Sequence, residues 1–245
     1  MKIALVTGGS KGIGLQTVRR LVQTGHQVIT CSRSEESWNK ALGEHPELSL
    51  VDHQKTDISV ESDLENLFHH IKAQYGKLDL AVNNASPAVA SQGSFQQVDP
   101  ILLKDTLNAD FWSHALALKH EVNLMGAGGA IVNVTSVNGL RPTPNAAMYG
   151  AAKHALEGLT RSLALENISA GIRVNAVAPG VTLTPRWQAR LADSPELDAK
   201  VTEVVPIKRF AKADEIVNAI EFLLSEKAAY IVGHTLVVDG GLSLK

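Results

Sequence analysis

The residues in this chain best suited to chemistry are Ser136 and the stretch Tyr149-Gly-Ala-Ala-Lys153. If Tyr149 opens a helix, residues four apart share a face, and the phenol and the ammonium point into one space. A free tyrosine ionises near pH ~10, too high for proton transfer at neutrality, and a fixed cation beside it favours the phenolate. Ser136 can donate a second hydrogen bond to an oxygen on which negative charge develops. Such a trio suits a carbonyl being reduced or an alcohol being oxidised. Tyr-x-x-x-Lys by itself also describes an ordinary amphipathic helix surface, so the rest of the chain has to decide.

A second stretch, Thr7-Gly8-Gly9-Ser10-Lys11-Gly12-Ile13-Gly14, follows an apolar run and precedes a helical pattern, the context a dinucleotide-binding turn requires. Gly12 and Gly14 would let backbone approach a pyrophosphate at a helix N-terminus. The spacing is Gly-x-x-x-Gly-x-Gly, so a tight structural turn is the alternative. An NAD site places an acid at the end of the second strand. Here Cys31-Ser32-Arg33 stands at that point. Arg33 can meet a 2′-phosphate with its forked guanidinium, and Lys11 can add a positive charge from the other side. Glu35 and Glu36 are expected inside the next helix, pointing away. The cofactor expected is therefore NADPH/NADP+ rather than NADH/NAD+.

The elements that must position these residues alternate strand and helix. Apolar runs predict strands at Lys2–Thr7, Val28–Cys31, Leu48–Val51 onward to Asp57, Leu78–Val82, Ala130–Thr135, Arg173–Ala178 and Thr235–Val238. Helical spacing predicts helices between them: Leu15–Gly25, a short polar one from Ser34, and Val60–Gly76. A long one runs from Asp99-Pro100 to about Met125, one from Tyr149 towards Gly171, and one over Asp214–Leu224. Residues 184–208 are charged and mixed. Strands that read as buried on both faces argue for a parallel, doubly wound α/β sheet in one domain, 1–245. Gly8, Asn84, Ser136 and Pro179 all follow strand ends, so they should gather along one rim, where such sheets bind ligands.

Composition excludes several classes. A hydrophobic fraction of 44% supports a sizeable core, and a net charge of −2 offers nucleic acid no electrostatic footprint. No apolar run is long enough to span a membrane. The opening residues lead directly into the glycine turn, so no signal peptide is expected, and the single Cys31 fits a reducing compartment. A cytoplasmic protein is the expectation. None of the nine histidines shows paired metal-ligand spacing, and adjacent His69-His70 diverge on a helix. No metal site is expected.

The glycine stretch, Asn83-Asn84-Ala85, Ser136, Tyr149-x-x-x-Lys153, Pro179-Gly180 and the closing Val238-Asp-Gly-Gly241 together resemble the short-chain dehydrogenase/reductase family, in order and over nearly the whole chain. The resemblance implies a single Rossmann-like domain and a catalytic tetrad of Asn108, Ser136, Tyr149 and Lys153. In it Tyr149 passes the proton, Ser136 orients the carbonyl, and Lys153 holds the nicotinamide ribose while assisting Tyr149. Asn108, in the middle of its long helix, would hold a water linking Lys153 to solvent; read without the family it is a surface or helix-bending polar residue. The implied cofactor contacts include Asp57 and Ile58 at the adenine, and Asn84 and Ala85 at the adjoining ribose. Thr182 and Thr184, beyond Pro179-Gly180, would lie at the nicotinamide carboxamide and phosphates. One departure is Ser86, where the family has glycine, which implies a local backbone adjustment without loss of binding.

The leading reading is an NADPH-dependent oxidoreductase acting on a small free ketone, aldehyde or alcohol. A 3-oxoacyl-(acyl carrier protein) reductase is the enzymatic alternative, but the arginines the resemblance implies for carrier docking are missing from Met125-Gly-Ala-Gly-Gly129 and from Ala170. A catalytically silent NADP-binding regulator is the other alternative, with no need for Tyr149 and Ser136 together. Substrate loops are expected in 184–208, where Trp187 either lines the pocket or packs structurally. Apolar residues beyond one stripe on the helices around 101–125 and 149–168, with the family's habit of pairing them between subunits, imply a homotetramer or homodimer.

Overall fold

The computed structural model describes residues 1–245. Seven parallel strands form one sheet: β1 (Ile3–Thr7), β2 (Gln27–Ser32), β3 (Asp52–Lys55), β4 (Leu80–Asn83), β5 (Ala130–Val134), β6 (Arg173–Pro179) and β7 (Thr235–Val238). Their spatial order is β3-β2-β1-β4-β5-β6-β7. The helices are α1 (Gly12–Gln23), α2 (Glu35–Glu44), α3 (Glu61–Tyr75), α4 (Pro100–Leu107), α5 (Ser113–Leu124), α6 (Ala147–Asn167), α7 (Pro185–Asp193), α8 (Leu197–Val204) and α9 (Ala213–Leu224).

The expected architecture, an α/β doubly wound sheet with helices on both faces, is the one observed. The central strands are apolar on both sides because both sides are covered. In β1, Ala4 and Val6 join Val18 and Leu21 of α1 and Ile216 and Ile220 of α9 in one core. Ile3 and Leu5 face the other way, into a core with Leu64 and Phe68 of α3, Leu118 of α5 and Leu156 of α6. The chain leaves β1 for β2 and β3, then returns to β4 on the other side of β1. That reversal opens a crevice beyond the carboxyl ends of the strands, at β1 and β4.

Three expectations change. The apolar residues Leu48–Val51 do not open the third strand: Pro46–Leu50 is a 3₁₀ turn with Pro46 at its start. It presses Leu48 into the core with α1 and α2. The strand itself is the polar Asp52–Lys55 at the sheet edge, where Asp52 accepts from Tyr75 at 2.8 Å and pairs with His70 at 2.6 Å. The long helix from Pro100 is interrupted at Asn108–Trp112 by a π turn, which adds a residue to that turn and rotates α5 relative to α4. Residues 184–208 hold two short helices, α7 and α8.

Candidate active site

The carboxyl ends of β1, β4, β5 and β6 open on one cleft of about 360 Å³. Its floor begins at the glycine turn after β1. Gly12 has a positive φ of 61°, natural only for glycine. A Cβ on Gly14 would sit 2.2 Å from the Gly8 carbonyl oxygen and 2.5 Å from Asn84 Nδ2, so only glycine lets α1 start this close. Gly8, Ser10, Lys11, Gly12 and Ile13 line the cleft. Thr7 and Gly14 support it from behind: Thr7 Oγ1 accepts the backbone N–H of Asn84 at 3.0 Å and of Ala85 at 3.1 Å. Asn84 Nδ2 in turn donates to the Thr7 carbonyl at 3.0 Å. Asn84 and Ala85 are thereby held at the cleft wall. The first turn of α1 contains no acid and Lys11 does not cap it with its side chain, so the positive helix end faces the cleft.

At the end of β2, Arg33 lines the cleft, 4.0 Å from the Asp57 carboxylate. Asp57 and Ile58 line the same end. Asp57 Oδ1 is engaged locally, accepting the Ser59 backbone N–H at 3.0 Å and its hydroxyl at 2.7 Å. Glu35 and Glu36 lie in the first turn of α2, exposed and away from the cleft lining. Ser37, which no sequence motif marks, also lines this end, and its hydroxyl donates to Ser10 Oγ at 3.4 Å. Cys31 borders the cleft too, but burial pushes its thiol up to about 12, far from a reactive thiolate.

The opposite wall carries the chemistry. Ser136 lies two residues beyond β5 and caps the short turn Val137–Gly139, its Oγ accepting the Asn138 N–H at 3.1 Å. That turn presses on α6: a Cβ at Gly139 would lie 2.9 Å from the Lys153 carbonyl carbon. A glycine that no motif singled out thus fixes Ser136 against the helix that carries Lys153. Tyr149 is half-buried in the first turn of α6, and Lys153 lies one turn on with its ammonium 5.6 Å from the Tyr149 ring centroid. Ser136, Tyr149 and Lys153 all line the cleft.

Asn108 is not brought to them. Its amide donates to the Ser59 carbonyl at 3.0 Å, and it lies outside the cleft lining. The π turn instead presents Asp110, whose Oδ1 is 3.2 Å from Lys153 Nζ, both side chains 1% exposed. The Ser86 hydroxyl donates to the same oxygen at 2.7 Å. His114 is also buried here, and burial first, then the Lys153 charge, lowers its imidazole to about 3, so it stays neutral. Removing one partner of a buried ion pair costs about 3–5 kcal/mol, so Lys153 and Asp110 depend on each other.

The rim is formed after β6. Pro179, Gly180, Thr182 and Thr184 line the cleft, and Arg186 and Trp187 of α7 come next. Arg186 Nη2 donates to the Ser86 carbonyl at 2.6 Å, bridging α7 to the loop after β4. Trp187 both lines the cleft and packs, edge-on to Phe210 at 5.2 Å with the Arg190 guanidinium 4.3 Å from its ring. No group of three or more His, Cys, Asp and Glu side chains is placed to hold a metal ion.

A family model described as enoyl-(acyl carrier protein) reductase matches residues 8–243. The cis-4-hydroxycyclohexanecarboxylate dehydrogenase of Sinomonas cyclohexanicum is 36% identical over 244 residues, covering 98% of this chain and 96% of that protein. An A-factor type gamma-butyrolactone 1′-reductase of Streptomyces virginiae is 33% identical, covering 99% and 96%. Among solved structures, that of ElxO with NADP bound superposes with a TM-score of 0.93 at 28% identity, covering 100% of this chain and 99% of that one. Levodione reductase superposes at 0.91 and 29%, covering 99% and 98%. These matches run the length of the chain, across the glycine turn and the Tyr-x-x-x-Lys helix, and the chain belongs to the short-chain dehydrogenase/reductase family.

Proposed function

We propose that this chain, as a single domain over 1–245, is an NADP(H)-dependent oxidoreductase that interconverts a small free ketone or aldehyde and its alcohol. The observation that carries the reading is the convergence of Ser136, Tyr149 and Lys153 on one wall of a cleft whose other end is a glycine cradle. The cradle fits a dinucleotide phosphate: backbone packed too closely for any Cβ at Gly14, and a helix end without an acid. Gly8 to Ile13 would hold the pyrophosphate and Asn84 with Ala85 a ribose. Asp57 and Ile58 would meet the adenine, while Thr182 and Thr184 would lie at the carboxamide end. Lys11 and Arg33 line the adenosine end without an opposing acid at the end of β2, which supports the 2′-phosphorylated cofactor. ElxO and the actinorhodin polyketide ketoreductase, solved with NADP and NADPH, support the same choice.

The bound nicotinamide would supply or accept the hydride. Tyr149 gives the substrate oxygen its proton during reduction and takes it back during oxidation. Ser136 donates a hydrogen bond that orients that oxygen and stabilises its growing charge. Lys153 holds a positive charge behind Tyr149, which favours the phenolate when the proton has left. Trp187 and Arg186 stand over the substrate end.

A carrier-bound acyl substrate is disfavoured by the surface. Met125–Gly129 and Ala170 hold no cation, and nearby Arg173 points inward, donating to the Leu223 carbonyl at 2.9 Å and the Ser225 carbonyl at 3.2 Å. The hydroxycyclohexanecarboxylate and levodione named for two relatives are free small molecules, in keeping with this. No helix is long and apolar enough to cross a membrane, and a cytoplasmic location is proposed on the free Cys31. Exposed Ile101, Leu107 and Trp112 along α4 and the π turn, with Leu165 and Ile168 around the end of α6, support a homotetramer or homodimer, which light scattering measures. The deciding experiment tracks NADPH absorbance against a panel of cyclic and linear ketones, with Tyr149→Phe as control. Turnover of a free ketone that disappears in the control supports the reading. NADPH binding with no turnover of any ketone, acyl thioester or aldehyde would make the chain a silent binder.

A further inference from the structure

The most unusual group behind the cleft wall is a carboxylate that no motif announced, set under Ser86 and Lys153, which do line the cleft. Asp110 is 1% exposed and meets an equally buried Lys153 at 3.2 Å. A buried carboxylate needs compensation, and here it comes from two directions on one oxygen: the ammonium of α6 and the Ser86 hydroxyl from the loop after β4, at 2.7 Å. The other oxygen, Oδ2, has no protein partner. Both side-chain contacts of the Asp110 carboxylate are therefore made by the oxygen facing Lys153. The titratable groups around it are Lys153 and Tyr149 from α6 and His114 one turn along α5, and His114 is neutral. Nothing else competes for the carboxylate.

We propose that Asp110 is a positioning residue for Lys153: held by Ser86, it anchors the ammonium beneath Tyr149 and sets how readily the Tyr149–Lys153 pair gives up its first proton. The inference rests on Tyr149 and Lys153 being the acid/base pair proposed above. A fixed negative charge 3.2 Å from the ammonium holds it in place and offsets part of the positive charge that Lys153 presents to Tyr149. Ser86 moderates this by donating to the same oxygen. Asp110 and Ser86 therefore act in opposite directions, an arrangement that mere packing would not produce.

The test uses Asp110→Asn and Ser86→Ala in the full chain. The pH at half-maximal alcohol oxidation is read first, then the phenolate ultraviolet absorbance of the cofactor-free protein, taken as the difference from Tyr149→Phe. Asp110→Asn is expected to lower both midpoints by about one pH unit, with kcat falling more than the KM for the alcohol changes. Ser86→Ala, which leaves every charge in place, is expected to raise both midpoints by roughly a few tenths of a unit. Midpoints unchanged in folded Asp110→Asn, or displaced the same way in both variants, overturn the proposal. Should Asp110→Asn fail to fold, an unmoved midpoint in Ser86→Ala overturns it alone. Full activity in Tyr149→Phe is a different result, which sinks the acid/base reading itself.

Discussion

Changing Arg33 tests the cofactor end of the cleft without touching the chemistry. Its side chain is 61% exposed, and the Asp57 carboxylate is 4.0 Å away, too far to hold the guanidinium firmly. It is free to close on a phosphate. A hydrogen bond to a charged group contributes about 1.5–3 kcal/mol, and this degree of exposure selects the lower end. About 1.4 kcal/mol is a factor of ten, so Arg33→Ala should weaken NADPH roughly ten-fold and leave NADH unchanged, since NADH has no group there. Arg33→Asp adds repulsion to the 2′-phosphate and an acceptor for the ribose hydroxyl of NADH, which brings the total switch to roughly a hundred-fold. Protein fluorescence titrations with both cofactors measure it, and the NADPH preference should shrink as salt rises because the contact is near the surface. Equal weakening of both cofactors in Arg33→Ala, or a wild-type protein that binds NADH as tightly as NADPH, refutes the assignment of Arg33 and Lys11.

Three further outcomes are expected. Tyr149→Phe removes only a hydroxyl from a half-buried ring, so melting temperature and NADPH affinity should hold while turnover falls by about 10²-fold or more. Gly14→Ala forces a methyl to within 2.2 Å of backbone oxygen, so the turn must move; stability should drop by about 1–3 kcal/mol and NADPH affinity with it, both read in one thermal-shift series. Burial lifts the Glu121 carboxyl to about 7 against an unfolded value near 4.5, while the Asn83 amide at 2.9 Å opposes the rise. Between those two pH values the folded chain keeps a proton that the unfolded chain has lost, so wild-type stability is full below the window and declines as pH rises through it. Glu121→Gln keeps an acceptor for Asn83 and should flatten that decline; parallel melting curves for the two proteins across the window would disprove it.

The parts of the fold that were legible in the sequence are those where a residue's neighbours are sequence-local or where burial demands a uniform answer. Ile3–Thr7 reads as a strand because both its faces are covered; Gly12 and Gly14 read as a cradle because the first needs a positive φ and close backbone approach leaves the second no room for a side chain. The edge of the sheet was not legible for the same reason in reverse. Asp52–Lys55 carries no apolar signal because β3 has a strand on one side only and its side chains answer to His70 and Tyr75, while the apolar Leu48 next to it serves a different layer. Apolar runs report burial, and here burial and strand part company. Cleft residues such as Ser37 and Arg186 carry no signal because serine and arginine at helix starts are ordinary surface residues until the fold brings them to a ligand's edge.

The absence of Asn108 from the cleft has a sharper cause. Asn108 and Asp110 are two residues apart, roughly 200° around a regular helix, so on a continuous helix over 100–125 they would face nearly opposite ways. Which of them meets Lys153 depends on the phase of the helix at that turn, and the π turn at Asn108–Trp112 changes that phase. No period in the sequence marks the extra residue. The family resemblance pointed to Asn108; the structure sends its amide to the Ser59 carbonyl and puts Asp110 beside Lys153. The same turn accounts for the other departure from the family pattern. With a glycine at position 86 the Asp110 carboxylate would have only its ion pair with Lys153, whereas the Ser86 hydroxyl supplies a hydrogen-bond donor to a buried oxygen. Two residues that look unrelated along the chain, 24 positions apart, are one hydrogen bond in space. Each makes physical sense only in the presence of the other.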